Sequence, residues 1–133
     1  MLTTILTELF ERDLNKLKEE LGLYANEADL WLKPGNVPNS AGNLALHLCG
    51  NLQHFFGAVL GESGYVRDRD SEFTRLNVPR GEILSEIDAT LAVVKQTLLN
   101  LTEEDLTANY PIEVFGKPMT TGWFAVHLST HLT

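Results

Sequence analysis

Apolar residues recur at three- to five-residue steps along much of this chain, which is the spacing of amphipathic helices. Between Leu2 and Leu23 they alternate with Glu, Lys and Arg and predict a first helix. Between Glu82 and Leu101 they predict a long helix, which Pro79 would start. The pattern therefore predicts an all-α protein.

A further helix is predicted from Asn43 to Leu60, with Ser40 as its N-cap. Its apolar stripe runs through Leu44, Leu48, Leu52, Phe55 and Val59. Since this helix has almost no charge on any face, we expect it at the centre of the fold.

The remaining segments are shorter. Asn26 to Asn39 is rich in Pro and Gly and should be an irregular loop, and Thr102 can cap one helical turn. Pro111 to Pro118 is expected to be extended or hairpin-like. Thr120 or Thr121 should cap a last helix, which nothing ends before Thr133, so we expect the chain to be cut inside it.

Length and charge narrow the class of protein. The 133 residues suit a single domain over 1–133, and the net charge of −8 argues against sequence-independent binding to nucleic acid or anionic lipid. No segment resembles a signal peptide or a bilayer-spanning helix. A single cysteine, Cys49, excludes an intrachain disulfide, so we expect a protein of the reducing cytoplasm.

Three histidines are candidate metal ligands. His127 and His131 are four residues apart, so they share one face of the last helix, although such pairs are more often ordinary packing or surface residues. His47 falls on the buried helix, where it is either a core histidine bonded to a carbonyl or a third ligand. Three imidazoles on facing helices would suit a divalent ion.

Other polar residues near His47 allow more than one interpretation. Asn51 and His54 continue a polar strip on its face, and His54 is a fourth ligand, a supporting donor, a substrate contact or a solvent-facing residue. Cys49 points to roughly the opposite face and is interpreted as core rather than as a nucleophile. The charged loop Arg67 to Glu72 either forms solvated ion pairs or folds over the site entrance or a partner surface.

Two segments carry a family resemblance. Residues 43–52 read Asn-Leu-x-x-His-Leu-x-Gly-Asn-Leu, and residues 64–73 read Gly-Tyr-Val-Arg-Asp-Arg-Asp-Ser-Glu-Phe. Together they resemble a branch of the DinB-like superfamily that has no assigned function. The resemblance implies an up-down-down-up four-helix bundle, often a homodimer, with a divalent metal such as zinc, nickel or manganese. It implies His47 as one ligand and, from the last helix, His131 with either His127 or a histidine beyond Thr133.

The resemblance also implies a function. Some relatives are thiol-dependent transferases, so the first expectation is a metal-dependent transferase or hydrolase acting with a low-molecular-weight thiol or another small molecule. The alternative is a non-catalytic helical dimerisation or binding module, in which the histidines are bonded to carbonyls and no cavity is open. A weaker expectation is a stress-associated protein that acts through partners.

Overall fold

The computed structural model describes residues 2–35 and 37–132, and every regular secondary-structure element within these ranges is a helix. The only β-type pairing in these ranges is an isolated antiparallel bridge between Asn109 and Thr120. The all-α prediction is therefore confirmed. The helices are α1 (Leu2–Gly22), α2 (Ala41–Leu52), which continues as a π-helix (Gln53–Leu60), α3 (Arg69–Thr74), α4 (Arg80–Asn100), α5 (Glu103–Thr107) and α6 (Thr121–Leu132).

The two longest helices, α1 and α4, pack against each other, and α6 packs against α1 while α2 packs against α4. Phe10 and Leu14 of α1 and Ile87 and Val94 of α4 are fully buried. Each such side chain contributes roughly 1.5–3 kcal/mol through burial of apolar area. The predicted apolar faces thus form the core that holds α2 and α6 in place.

Helix α2 begins as predicted but is not regular to its end. Ser40 Oγ accepts the backbone N–H of Asn43 at 3.1 Å, which confirms the N-cap. The predicted stripe is partly wrong: Leu44 is exposed, and the fully buried aromatic residue is Phe56. The buried face is instead formed by Ala45, Cys49, Leu52 and Phe56, whose steps of four, three and four keep a regular helical phase, although the segment after Leu52 is a π-helix.

Two predicted loops contain helical turns. The loop expected between Asn26 and Asn39 includes a 3₁₀ turn (Glu27–Trp31), and Trp31 packs over Gly42 of α2. The charged loop contains α3, which no apolar period had indicated. The segment expected to be extended or hairpin-like, Pro111 to Pro118, forms no regular strand and is a hairpin-like loop, because the antiparallel Asn109–Thr120 bridge closes its base.

The last helix follows its prediction closely. Thr120 Oγ1 accepts the backbone N–H of Trp123 at 3.1 Å, and Phe124 and Leu128 of α6 are buried. The expectation for Thr133 lies outside the described residues. Across residues 2–35 and 37–132, none of the helices has the length and apolar character needed to cross a membrane.

Candidate metal centre

His47, near the middle of α2, contacts a carboxylate from α3. Its Nδ1 lies 3.1 Å from Glu72 Oε1, and Glu72 is only 5% exposed. Arg67, in the loop before α3, donates from Nε to Glu72 Oε2 at 2.9 Å and from Nη2 to Oε1 at 3.0 Å. The Arg67 fork therefore offsets the burial of the carboxylate.

This pairing favours one tautomer of His47. Arg67 Nη2 also lies 3.4 Å from His47 Nδ1, but the shorter 3.1 Å contact is with a carboxylate, which can only accept a hydrogen bond, and so favours the proton on Nδ1. The lone pair of a neutral His47 is then on Nε2. Arrangements in which a carboxylate orients an imidazole in this way are typical of histidines that bind metal ions.

His131 of α6 faces that lone pair. The Nε2 atoms of His47 and His131 are 3.4 Å apart, and their rings are nearly perpendicular, at 83°. The pKa of His131 is lowered, first by burial and then by His47, His127 and Arg67, so His131 is held toward its neutral form. A neutral imidazole is the form that can bind a metal ion.

The spacing of this histidine pair fits a shared divalent ion. Two nitrogen ligands of a tetrahedral zinc ion, each at about 2.0–2.1 Å, are separated by about 3.3 Å. The 3.4 Å between the two Nε2 atoms agrees with that value, and it also fits one hydrogen bond between the rings. Within residues 2–35 and 37–132, no set of three His, Cys, Asp or Glu side chains is arranged to hold a metal ion.

The third predicted ligand, His127, is placed differently. Its ring stacks on Trp123 at 5.5 Å and meets the edge of Phe115 at 5.1 Å. It lines the same cavity as His47 and His131. The structure thus brings two of the three predicted histidines into contact and leaves the third on an aromatic wall.

The cavity beside the histidine pair is small, with a volume of about 200 Å³. Phe55, Phe115 and Phe124 supply apolar surface, and Arg67 and Arg69 supply positive charge. Arg67 also lies over the Phe55 ring, at 5.9 Å from its centroid. The cavity therefore combines a possible ion site with an aromatic and basic wall.

The other polar residues of α2 are now placed as well. Asn51 is buried and lines the cavity, whereas His54 lies outside its lining and packs against Phe55 at 4.8 Å. Burial, and secondarily Arg67, lowers the pKa of His54 while Glu72 raises it. Cys49 is 4% exposed, which agrees with its interpretation as core.

Sequence reasoning missed the role of Glu72. The side chain had been grouped with a charged loop, yet it is buried against α2 because Gly50 leaves room for its carboxylate. Asn43 Nδ2 holds the backbone of this segment by donating to the carbonyl of Glu72 at 3.1 Å and of Arg75 at 2.8 Å. The sequence signal that could have indicated this contact was Gly50, three residues after His47.

A larger cavity of about 750 Å³ lies elsewhere, between the π-helix, α4 and the segment after α5. Gly57, Gln96, Asn100 and Asp105 are among its lining residues, and no histidine or arginine is. Its size alone does not suggest a reaction. His47, His127, His131, Arg67 and Arg69 line the smaller cavity instead.

The fold and site define an all-helical domain with a histidine pair that is oriented by a buried carboxylate. The chain belongs to the family described as a protein of unknown function, DUF1572, whose family model matches residues 6–129. Neither the curated proteins nor the solved structures include a match to the chain.

Proposed function

We propose that this protein is a divalent-metal-binding protein of the DinB-like type and that it acts as a metal-dependent enzyme. His47 and His131 would hold the ion, and His127, on the wall of the same cavity, would be the third ligand. The proposal includes an up-down-down-up four-helix bundle, a homodimer and a cytoplasmic location. Zinc, nickel and manganese are the candidate ions.

One observation carries the proposal: His47 Nδ1 is hydrogen-bonded to a buried carboxylate while its Nε2 faces that of His131 at 3.4 Å. A histidine kept only for packing needs an acceptor, such as a carbonyl, for its N–H and a donor for its unprotonated nitrogen. Here the partner is an ion-paired carboxylate, which makes the imidazole a stronger ligand.

The residues of this chain would have separate tasks. Glu72 would orient His47 and keep its proton on Nδ1, and Arg67 would hold Glu72 in place. The aromatic residues Phe55 and Phe124 would limit water at the cavity. The bound ion would act as a Lewis acid and would lower the pKa of a bound water or thiol, as a thiol-dependent transferase requires.

A second function, a non-catalytic dimerisation or binding module, is favoured by one observation. Trp123 and Val126 of α6 are 55% and 43% exposed, and exposed apolar side chains on one helix are typical of partner surfaces. This function requires no bound ion. It therefore predicts that substitutions at the histidine pair leave dimerisation or partner binding unchanged.

The test is zinc binding by the purified protein, measured by elemental analysis after dialysis and by titration calorimetry. We expect His47→Ala and His131→Ala to weaken zinc binding by more than the roughly 10–100-fold that loss of a supporting residue causes. His54→Ala is the matched control and should bind like wild type, since His54 lies outside the cavity lining.

His127→Ala tests the third ligand in the same assay, and its affinity should fall if His127 binds the ion. If the wild-type protein binds no zinc, nickel or manganese, or if all four histidine variants behave alike, the metal-dependent function is wrong and the binding module is favoured.

A further inference from the structure

The cavity beside the histidine pair carries one positive charge that the protein does not neutralise. The charge of Arg67 is matched by Glu72. Arg69 is exposed at the cavity and makes no ion pair or hydrogen bond with any residue of 2–35 or 37–132. Its sequence neighbours Asp68 and Asp70 are not among the cavity-lining residues, and Asp68 caps α3 by accepting the backbone N–H of Ser71. A ligand with one negative charge would balance the cavity.

Arg67 can contribute to the same contact. Its Nε and Nη2 donate to Glu72, and its Nη1 makes no hydrogen bond within the described part of the chain. The Arg67 side chain is 13% exposed, so it is not sealed off from the cavity. Guanidinium groups match the two oxygens of a carboxylate in geometry as well as in charge.

The aromatic residues that line the cavity select the rest of the ligand. Phe55, Phe115 and Phe124 form a cluster of rings whose centroids are 5.1 Å apart for Phe55 and Phe124 and 6.2 Å apart for Phe115 and Phe124. Such a wall favours a flat apolar body. At about 200 Å³ the cavity is smaller than the roughly 300–1,000 Å³ of drug-sized pockets, so only a small molecule fits.

Asn51 adds an unpaired polar atom to the cavity lining. It is 9% exposed, lies one turn after His47 on α2, and lines the cavity. Its Oδ1 is buried and has no hydrogen-bond partner among the residues that the structure describes. This oxygen can only accept a hydrogen bond, so a carboxylate cannot pair with it, and a ligand that also carries a hydrogen-bond donor beside Asn51 would be stabilised.

We propose that this cavity binds a small carboxylate with a flat apolar body, of the size of an aromatic monocarboxylic acid. Its carboxylate contacts Arg69 and Nη1 of Arg67, and its body lies against the phenylalanine wall, next to the histidine pair. The interpretation of this cavity as a substrate site rests on the proposed function. The binding itself depends on the arginines and the rings.

Titration calorimetry with benzoate tests this proposal, with benzamide as the uncharged probe of the same shape. Both are titrated into the full chain after chelation of metals, and again after addition of zinc. We expect benzoate to bind more tightly than benzamide in both states. Arg69→Gln should weaken benzoate binding by about tenfold, as loss of one charge-assisted contact does.

Lys95→Gln is the matched control, because it removes one positive charge from α4 outside this cavity. It should leave benzoate binding unchanged. The proposal is overturned if benzoate does not bind, if benzamide binds equally well, or if Arg69→Gln binds benzoate like wild type. Benzoate binding that depends on Arg69 in a protein that takes up no zinc would support this inference and contradict the proposed function. Zinc uptake together with benzoate binding that does not depend on Arg69 would contradict this inference and support the proposed function.

Discussion

The two faces of helix α2 bury titratable side chains in opposite ways. On one face, His47 contacts the ion pair of Glu72 and Arg67, so charge is kept inside the protein. On the other face, Cys49 is a neutral thiol, because burial raises its pKa to about 12 although the nearby Thr90 hydroxyl lowers it. Burial alone therefore does not mark a reactive group. On the charged face, the ion-pair and hydrogen-bond partners compensate the buried side chains for the loss of water. Only that face presents an imidazole lone pair, that of His47, to a second candidate metal ligand, His131.

The largest loss of stability is expected from a substitution that removes the ion pair on the charged face of α2. Glu72→Ala leaves Arg67, whose side chain is only 13% exposed, without its partner, and removal of one member of a buried ion pair costs about 3 kcal/mol or more. We expect the free energy of unfolding, measured by urea denaturation, to fall by that amount.

Glu86→Ala is the matched control for this loss. Glu86 pairs with Arg75 on the surface, where both side chains are about 40% exposed, and such pairs contribute less than about 1 kcal/mol. Equal losses for Glu72→Ala and Glu86→Ala would mean that the buried cluster has no special stability.

A smaller effect is expected where the two faces meet, at Gly50. A Cβ at this position would overlap the Glu72 carboxylate, so Gly50→Ala must displace it from His47. We expect a loss of about 1–3 kcal/mol, typical of overpacking, in the same denaturation experiment.

Gly81→Ala is the control, since a Cβ there meets no atom within 4 Å and Gly81 also lies in a helix. It should be neutral or slightly stabilising. A Gly50→Ala protein as stable as Gly81→Ala would show that Glu72 is not held against α2.

The smallest effect is expected on the neutral face. At pH 8 the Cys49 thiol should react with a thiol reagent only as fast as the protein opens, because its pKa of about 12 leaves almost no thiolate. The raised pKa favours the folded state fully below the ordinary value of 9.0, and this contribution is lost as the pH rises toward 12. Fast reaction of the native protein at pH 8 would contradict the assignment of Cys49 to the core.

The helices were predictable because their apolar periods and caps are local. Ser40, Thr102 and Thr120 all cap helices at the places that the sequence indicated. The buried face of α2 was not identified from the sequence, since a helix with almost no charge offers apolar residues at helical spacing on more than one face. The predicted stripe therefore named Phe55, which borders the cavity, in place of Phe56.

The candidate site was predictable in part. The structure brings His47 and His131, 84 positions apart, into contact as the sequence had suggested, with His47 partly buried and His131 exposed. The partner of His47 was hidden because Glu72 lies in a charged loop without an apolar period, where solvated ion pairs are the usual outcome. Only the long-range contact with α2 distinguishes Glu72 from the exposed acids around it.

The double hydrogen bond from Asn43 to the carbonyls of Glu72 and Arg75 has an evolutionary consequence. It joins the start of α2 to the end of α3, so that the histidine, its carboxylate and the supporting arginine are encoded in one contiguous stretch, residues 43–75. Insertions or deletions elsewhere in the gene leave the spacing within this stretch unchanged. Homologues that keep this arrangement should accordingly keep the spacing between positions 43 and 75.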